Sequence, residues 1–258
     1  MRVLVIAAHP DDELLGVGGT IAWHIANGDQ VKVAVMCEGI SARFSNEGRY
    51  ELGQGNGKRI AVSSGRATVA DGESEEGRPR CYVPERFDEV KLETCAAARI
   101  LGVTDLHVGN LPDQRLETLP LSDVAKQIEL LVADFESEVV YTHFAGDINR
   151  DHRVLTEAVM VAVRPYSAPH VKEILMFETP SSTEWSTPSL TPSFQPNVYV
   201  DITPFLDQKI AAFDCYSAEG RPYPHPRSPQ ALAERAHYWG SLINRESAEP
   251  FMLVRSTR

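Results

Sequence analysis

The chain opens on an apolar run, RVLVIAA at 2–8, of strand length and without the polar alternation of a half-exposed strand. Such a run reads as a strand covered on both faces. LLGVGGTIAWHIAN at 14–27 then spaces its apolar residues for a helix, with Gly28-Asp29 as its stop. QVKVAVMC at 30–37 is a second strand. A strand, helix and strand this close together call for a parallel pair joined by a right-handed crossover. The alternation continues with a helix over 88–101 ended by Gly102, a strand at 106–110 and a helix at 122–135. A strand at 138–143, a helix over 151–165 stopped by Pro165 and a strand at 173–179 follow. Two further helices, 203–219 and 228–243, close the chain. The pattern predicts an α/β sandwich with a mostly parallel sheet.

Two stretches break the pattern. Between Glu38 and about Arg86 the periodicity disappears and Gly and charge dominate, so 38–87 is expected to be a long lid or specificity loop. PSSTEWSTPSLTPSFQPN at 180–197 is rich in Pro, Ser and Thr and is expected on the surface. Residues 1–180 are accordingly read as the core. Residues 181–258 are read as a C-terminal helical and loop extension packed on it within one domain.

Charge narrows the range of partners. With 25 basic and 36 acidic residues the chain carries a net charge of -11, which argues against nucleic acid and against anionic membrane surfaces. No stretch approaches the length of a membrane span, and the N-terminus shows no basic segment followed by a long apolar one. The four cysteines are far apart with no CxxC, which speaks against structural zinc and a disulfide framework. Cys37 and Cys95 are expected to be small buried hydrophobes. The expected location is cytoplasmic.

The chemistry concentrates where the first strand ends. In open α/β sheets ligands bind beyond the carboxyl ends of the strands, and HPDDE at 9–13 occupies that place. His9 and Asp12, three residues apart around a turn, can point to one spot. THFAGDINRDHR at 142–153 stands in the same relation to the strand EVVYT, with His152 at the start of a helix. His9, Asp12 and His152 together make a ligand set for a catalytic zinc that leaves a position for water. The same donors accept other divalent metals. Asp11, adjacent to a ligand but aimed elsewhere, is the candidate general base. Taken singly, Asp11 or Asp12 reads as a helix cap, Glu13 as a partner of the helix dipole and His152 as a satisfied core or surface histidine. A cap does not call for a histidine and two aspartates together. GVGGT at 16–20 is a poor phosphate loop, because three carboxylates precede it and would repel a pyrophosphate.

AAHPDDELLGVGGTIA closely resembles the first signature of the PIG-L/LmbE-like zinc-dependent N-deacetylases, and GDINRDHR resembles their second. ETCAAARILGV at 93–103 and NLPD at 110–113 resemble the connecting helix and strand. The resemblance implies a Rossmann-like three-layer sandwich that hydrolyses an acetamido sugar to an amine and acetate. It implies Zn2+ on His9, Asp12 and His152, Asp11 as base, and Asp113 on a sugar hydroxyl; Asp113 read alone is a turn residue after Leu-Pro. Where many members carry a histidine three residues before the last ligand, this chain has Asn149. Asn149 can donate a neutral hydrogen bond to an oxyanion but cannot shuttle a proton. Protonation is then expected from Asp11, His143 or His225. Arg43 and Arg227 are candidates to bind a phosphate or carboxylate of the substrate, or are ordinary loop anchors. The expected partner is a small N-acetylated sugar, with no nucleic acid and no membrane span, and homo-oligomerisation is left open. Two alternatives stand beside deacetylation: an amidase acting on a larger conjugate, and a sugar- or nucleotide-binding module without activity.

Overall fold

The computed structural model describes residues 1–39, 80–82 and 89–258. Most of the stretch expected as a long loop, Arg43 included, lies outside them. The elements are β1 (Arg2–Ala7), α1 (Asp12–Ala26), β2 (Gln30–Cys37), β3 (Arg80–Tyr82), α2 (Glu89–Leu101), β4 (Asp105–Leu111), α3 (Leu121–Phe135), β5 (Val139–His143), α4 (Arg150–Ala162), β6 (Glu173–Phe177), β7 (Val198–Asp201), α5 (Leu206–Phe213), α6 (Pro229–Ser241) and β8 (Ala248–Ser256). Among the described residues the strands form one eight-stranded sheet in the order β3-β4-β2-β1-β5-β6-β8-β7.

The apolar N-terminal run becomes the central strand. β1 pairs in parallel with β2 on one side (Val3 opposite Val31) and with β5 on the other (Val3 opposite Val139). Its side chains alternate between two cores. Val3 and Val5 join Leu14, Val17, Ile21, Leu101 and Phe213 on the face covered by α1, α2 and α5. Leu4 and Ile6 join Val124, Ile128, Leu155 and Val159 under α3 and α4. A strand that buries both faces has no polar positions, which is why it reads as a continuous hydrophobic run. The chain first builds β2, β3 and β4 on one side of β1 and then crosses to place β5 on the other, so the carboxyl ends of β1 and β5 flank the point where the strand order reverses. That is where such sheets open a crevice.

The C-terminal part differs from the expectation. It carries helices, but it also adds two antiparallel strands, with β8 inserted between β6 and β7. β8 is buried over its first four residues and mostly exposed beyond them, so no single period marks it. β7 has only four residues and ends the Pro-rich stretch. α4 stops at Ala162, short of Pro165, because a residue before proline is disfavoured in the helical region. The expected 203–219 helix contracts to a 3-10 turn at Thr203–Phe205 followed by α5. Cys95 is disulfide-bonded and partly buried, not the free core thiol expected of it.

The glycines of GVGGT let α1 lie close against its neighbours. A Cβ on Gly16 would stand 2.3 Å from Phe177 Cδ2, and one on Gly19 would stand 2.8 Å from Ile202. At the same height a buried ion pair meets the helix. Lys209 donates to Glu249 at 2.6 Å and to the Leu15 carbonyl at 3.0 Å. Glu249 in turn accepts from the Gly19 and Thr20 N–H groups at 2.9 and 2.7 Å. These contacts fix α1, and with it the position of its first turn.

Candidate active site

The turn after β1, the segment after β4 and the start of α4 meet at the carboxyl ends of the strands. His9 Nδ1 lies 3.1 Å from Asp12 Oδ2, His152 Nε2 lies 3.2 Å from the same oxygen, and the two ring nitrogens are 3.3 Å apart. Three ligand atoms around a tetrahedral zinc with bonds of about 2.0–2.1 Å would stand about 3.3–3.4 Å from one another. The triangle formed by this trio therefore has the dimensions of three corners of such a site, and these residues can hold a metal ion together.

The other nitrogen of each ligand histidine faces a carboxylate. His9 Nε2 is 3.0 Å from Asp151 Oδ2 and 3.2 Å from Asp113 Oδ1. Asp151 is held by the Leu116 N–H at 3.0 Å. His152 Nδ1 is 3.3 Å from Asp147 Oδ1. Asp147 is held by the hydroxyls of Ser182 and Thr183 and by the Asn149 N–H at 2.8 Å. A carboxylate behind a metal-binding imidazole fixes its tautomer and orientation. The charges also fit a cation. Burial alone would push the His9 imidazole down, but Asp12, Asp151 and Asp113 outweigh it and raise it to about 10. The cluster thus draws positive charge inward. A second group, His9, Cys37 and Asp151, also has donor atoms close together. Its Cys37 thiol is pushed well up by burial and by the Asp151, Asp113 and Asp12 carboxylates around it.

Asp11 stands apart from the trio. It is buried, with backbone angles φ 101 and ψ -29, and its carboxylate accepts from Arg227 Nη1 at 2.7 Å. Burial raises its pKa well above the usual carboxylate range; Arg227 opposes the shift, and Asp12 and Glu13 add to it. Arg227 is itself fixed by Glu219 at 3.0 Å and by Ser181 Oγ at 2.7 Å. Its Nη1 is thus shared between two of the protein's own acids and its Nε taken by a serine hydroxyl.

The remaining expected residues are distributed unevenly. Asn149 caps α4, its Oδ1 accepting from the Asp151 N–H at 2.9 Å while its Nδ2 faces Gln114 Oε1 at 3.5 Å. His143 is fully buried behind Asp12. The Ala8 N–H donates to its Nε2 at 2.9 Å and its Nδ1 pairs with Thr179 Oγ1 at 3.1 Å, so neither nitrogen is left to meet a substrate. Its ring stacks on His152 at 3.9 Å and supports that ligand. His225 lies beside Arg227, accepting that residue's N–H at 3.1 Å and meeting the exposed Trp185 edge-on. Asp113 reaches the trio through His9. Asp147, Asp151 and Gln114 were not anticipated. The two aspartates sit inside the GDINRDHR motif, so their signal was present in the sequence as unassigned acids. Gln114, at φ 55, places Nε2 3.3 Å from His9 Nε2 and has no sequence signature.

Residues 4–163 match the family described as PIG-L, GlcNAc-PI de-N-acetylase. An uncharacterized deacetylase of Escherichia coli, YaiS, is 27% identical over 216 residues, covering 81% of this chain and 87% of that protein. The N,N'-diacetylchitobiose deacetylase of Pyrococcus horikoshii superposes with a TM-score of 0.64 at 18% identity, over 98% of this chain and 84% of that one. GalB, the 4-carboxy-2-hydroxymuconate hydratase of Pseudomonas putida, superposes with a TM-score of 0.66 at 20% identity, over 100% and 98% of the two chains. No helix among the described residues is long and apolar enough to cross a membrane.

Proposed function

The chain belongs to the GlcNAc-PI de-N-acetylase family, and from that premise we propose that it removes the acetyl group from a 2-acetamido sugar by hydrolysis, releasing a free amine and acetate. The observation that carries this reading is the pairing of a metal-spaced trio with a separate buried carboxylate. His9, Asp12 and His152 would hold the metal, zinc in this reading, while Asp11 makes no bond to them. A divalent metal bound there lowers the pKa of water and polarises a carbonyl. Asp11, kept out of the trio by Arg227, takes a proton from the attacking water and returns it to the nitrogen of the leaving amine. The Asn149 side chain, its oxygen committed to the α4 cap, offers its Nδ2 hydrogens to the developing oxyanion. Asp113 and Gln114, beside His9, would meet sugar hydroxyls in this reading. The deacetylase that acts on N,N'-diacetylchitobiose and shares this fold supports an acetylated sugar as substrate.

The test is amine and acetate release from N-acetylglucosamine, N,N'-diacetylchitobiose and UDP-N-acetylglucosamine with zinc added, for the wild type and Asp11→Asn. The variant is expected to keep its metal and lose at least 10²-fold in kcat. Wild-type activity in Asp11→Asn sinks the base assignment. Release of a larger acid in place of acetate sinks deacetylation in favour of the amidase reading.

A further inference from the structure

We propose that Glu13, held by Tyr216, is the positioning residue that aims Asp11. This inference rests on the reading of Asp11 as the proton-transfer group. A side-chain-bearing residue at φ 101 lies outside the ordinary left-handed well, and such backbone persists only where its surroundings over-determine it. Both backbone groups of Asp11 are tied. Its carbonyl accepts from the Leu14 and Leu15 N–H groups, each at 2.9 Å, and so starts α1. Its N–H donates to Glu13 Oε2 at 3.0 Å. The other Glu13 oxygen accepts from the Tyr216 hydroxyl at 2.6 Å. Asp11, Glu13 and Tyr216 are 2%, 4% and 1% exposed, so each of these groups takes its partner from the protein and not from bulk solvent.

A glutamate that serves only the helix dipole sits in solvent and has no fixed partner. Glu13 does the opposite: it is buried, with one oxygen accepting from the Asp11 N–H and the other from a distant hydroxyl. Tyr216 and Arg227 come from the same C-terminal segment. Asp11 is therefore gripped from two sides, with Tyr216 acting through Glu13 on its backbone and Arg227 acting directly on its carboxylate. Without Glu13 the buried Asp11 N–H has no partner in this conformation, and the peptide is free to rotate its side chain off line. A carboxylate displaced by about 1 Å from its reacting partner costs on the order of 10²-fold in rate.

The experiment compares Glu13→Ala, Glu13→Gln and Tyr216→Phe by kcat and KM on N-acetylglucosamine and N,N'-diacetylchitobiose, by bound zinc per chain, and by hydrogen exchange at the Asp11 amide. Glu13→Ala is expected to lose about 10²-fold in kcat, with KM within about threefold, unchanged metal content and at least tenfold faster exchange at Asp11. Glu13→Gln keeps an oxygen for the Asp11 N–H and presents its amide to a hydroxyl that can accept, so it should recover most of the rate. Tyr216→Phe should fall between the two, and Glu13→Ala combined with Tyr216→Phe should be no slower than Glu13→Ala alone. Unchanged exchange in Glu13→Ala, unchanged kcat, or a loss of rate that only tracks a loss of zinc overturns the inference. Should Glu13→Ala fail to fold, Glu13→Gln and Tyr216→Phe decide it by the same readings. An inactive wild type refutes the deacetylase reading instead, and the exchange data still decide whether Glu13 holds Asp11.

Discussion

Asp147 offers a way to separate metal binding from stability within one residue. It accepts from the Ser182 and Thr183 hydroxyls and the Asn149 N–H while facing His152 Nδ1 at 3.3 Å. Asp147→Ala strips the backing from His152 and leaves two buried hydroxyls short of an acceptor; the Asn149 N–H is near enough to the surface to find water. Removing a carboxylate behind a ligand histidine weakens metal binding about 10- to 100-fold, or about 1.4–2.7 kcal/mol. The two hydroxyls cost about 1–3 kcal/mol each, and rotation toward other acceptors recovers part of that, so the metal-free protein should lose about 2–4 kcal/mol. Zinc competition with a chromophoric chelator reads the first quantity, and urea unfolding of the metal-stripped protein reads the second. Asp147→Asn preserves volume and one acceptor, so it should recover much of the stability but little of the affinity. The reasoning fails if Asp147→Ala binds zinc as tightly as the wild type while unfolding earlier, since Asp147 would then only anchor the 181–185 segment.

Two further variants probe α1 and the residue that departs from the family pattern. Lys209→Met leaves the buried Glu249 carboxylate without its cation and should cost about 3–5 kcal/mol in urea unfolding; a loss below about 1 kcal/mol would mean the Gly19 and Thr20 N–H groups alone satisfy it. Asn149→Ala removes the α4 cap at about 1 kcal/mol and also deletes the Nδ2 donor, with kcat falling about 10²- to 10³-fold. Asn149→Asp keeps the cap without the donor, so it should restore stability and not rate; wild-type kcat in that variant excludes Nδ2 from the transition state.

The sequence made the centre of the fold legible because β1, β2, β5 and the helices between them carry local signals. A strand covered on both faces has no polar position, and helices on a sheet repeat their apolar stripe. β7 and β8 were hidden for the same reason in reverse. β8 changes environment halfway along, buried at Phe251 and exposed at Val254, and Pro250 within it reads as a strand breaker. The trio was legible for a different reason: a histidine and two aspartates at a strand end exceed what capping requires. Their supporting acids were legible only as unassigned acids of the GDINRDHR motif, because Asp151 meets His9 across 142 residues and no local spacing pairs the two.

Glu13 shows where local reading misleads. A glutamate in the first turn of a helix has a ready explanation in the dipole, and that explanation needs no partner. Its actual partner is 203 residues away, on the segment that also supplies Arg227. The consequence concerns the division of labour around one turn of chain. The acids behind the trio, Asp113, Asp147 and Asp151, concentrate negative charge where a cation belongs. The C-terminal segment contributes no ligand to that trio; what it supplies is the grip on Asp11. On the proposed reading, metal affinity and proton transfer are held by different parts of the chain, so variants at Tyr216 or Arg227 should leave zinc bound, while variants at Asp147 or Asp151 should not.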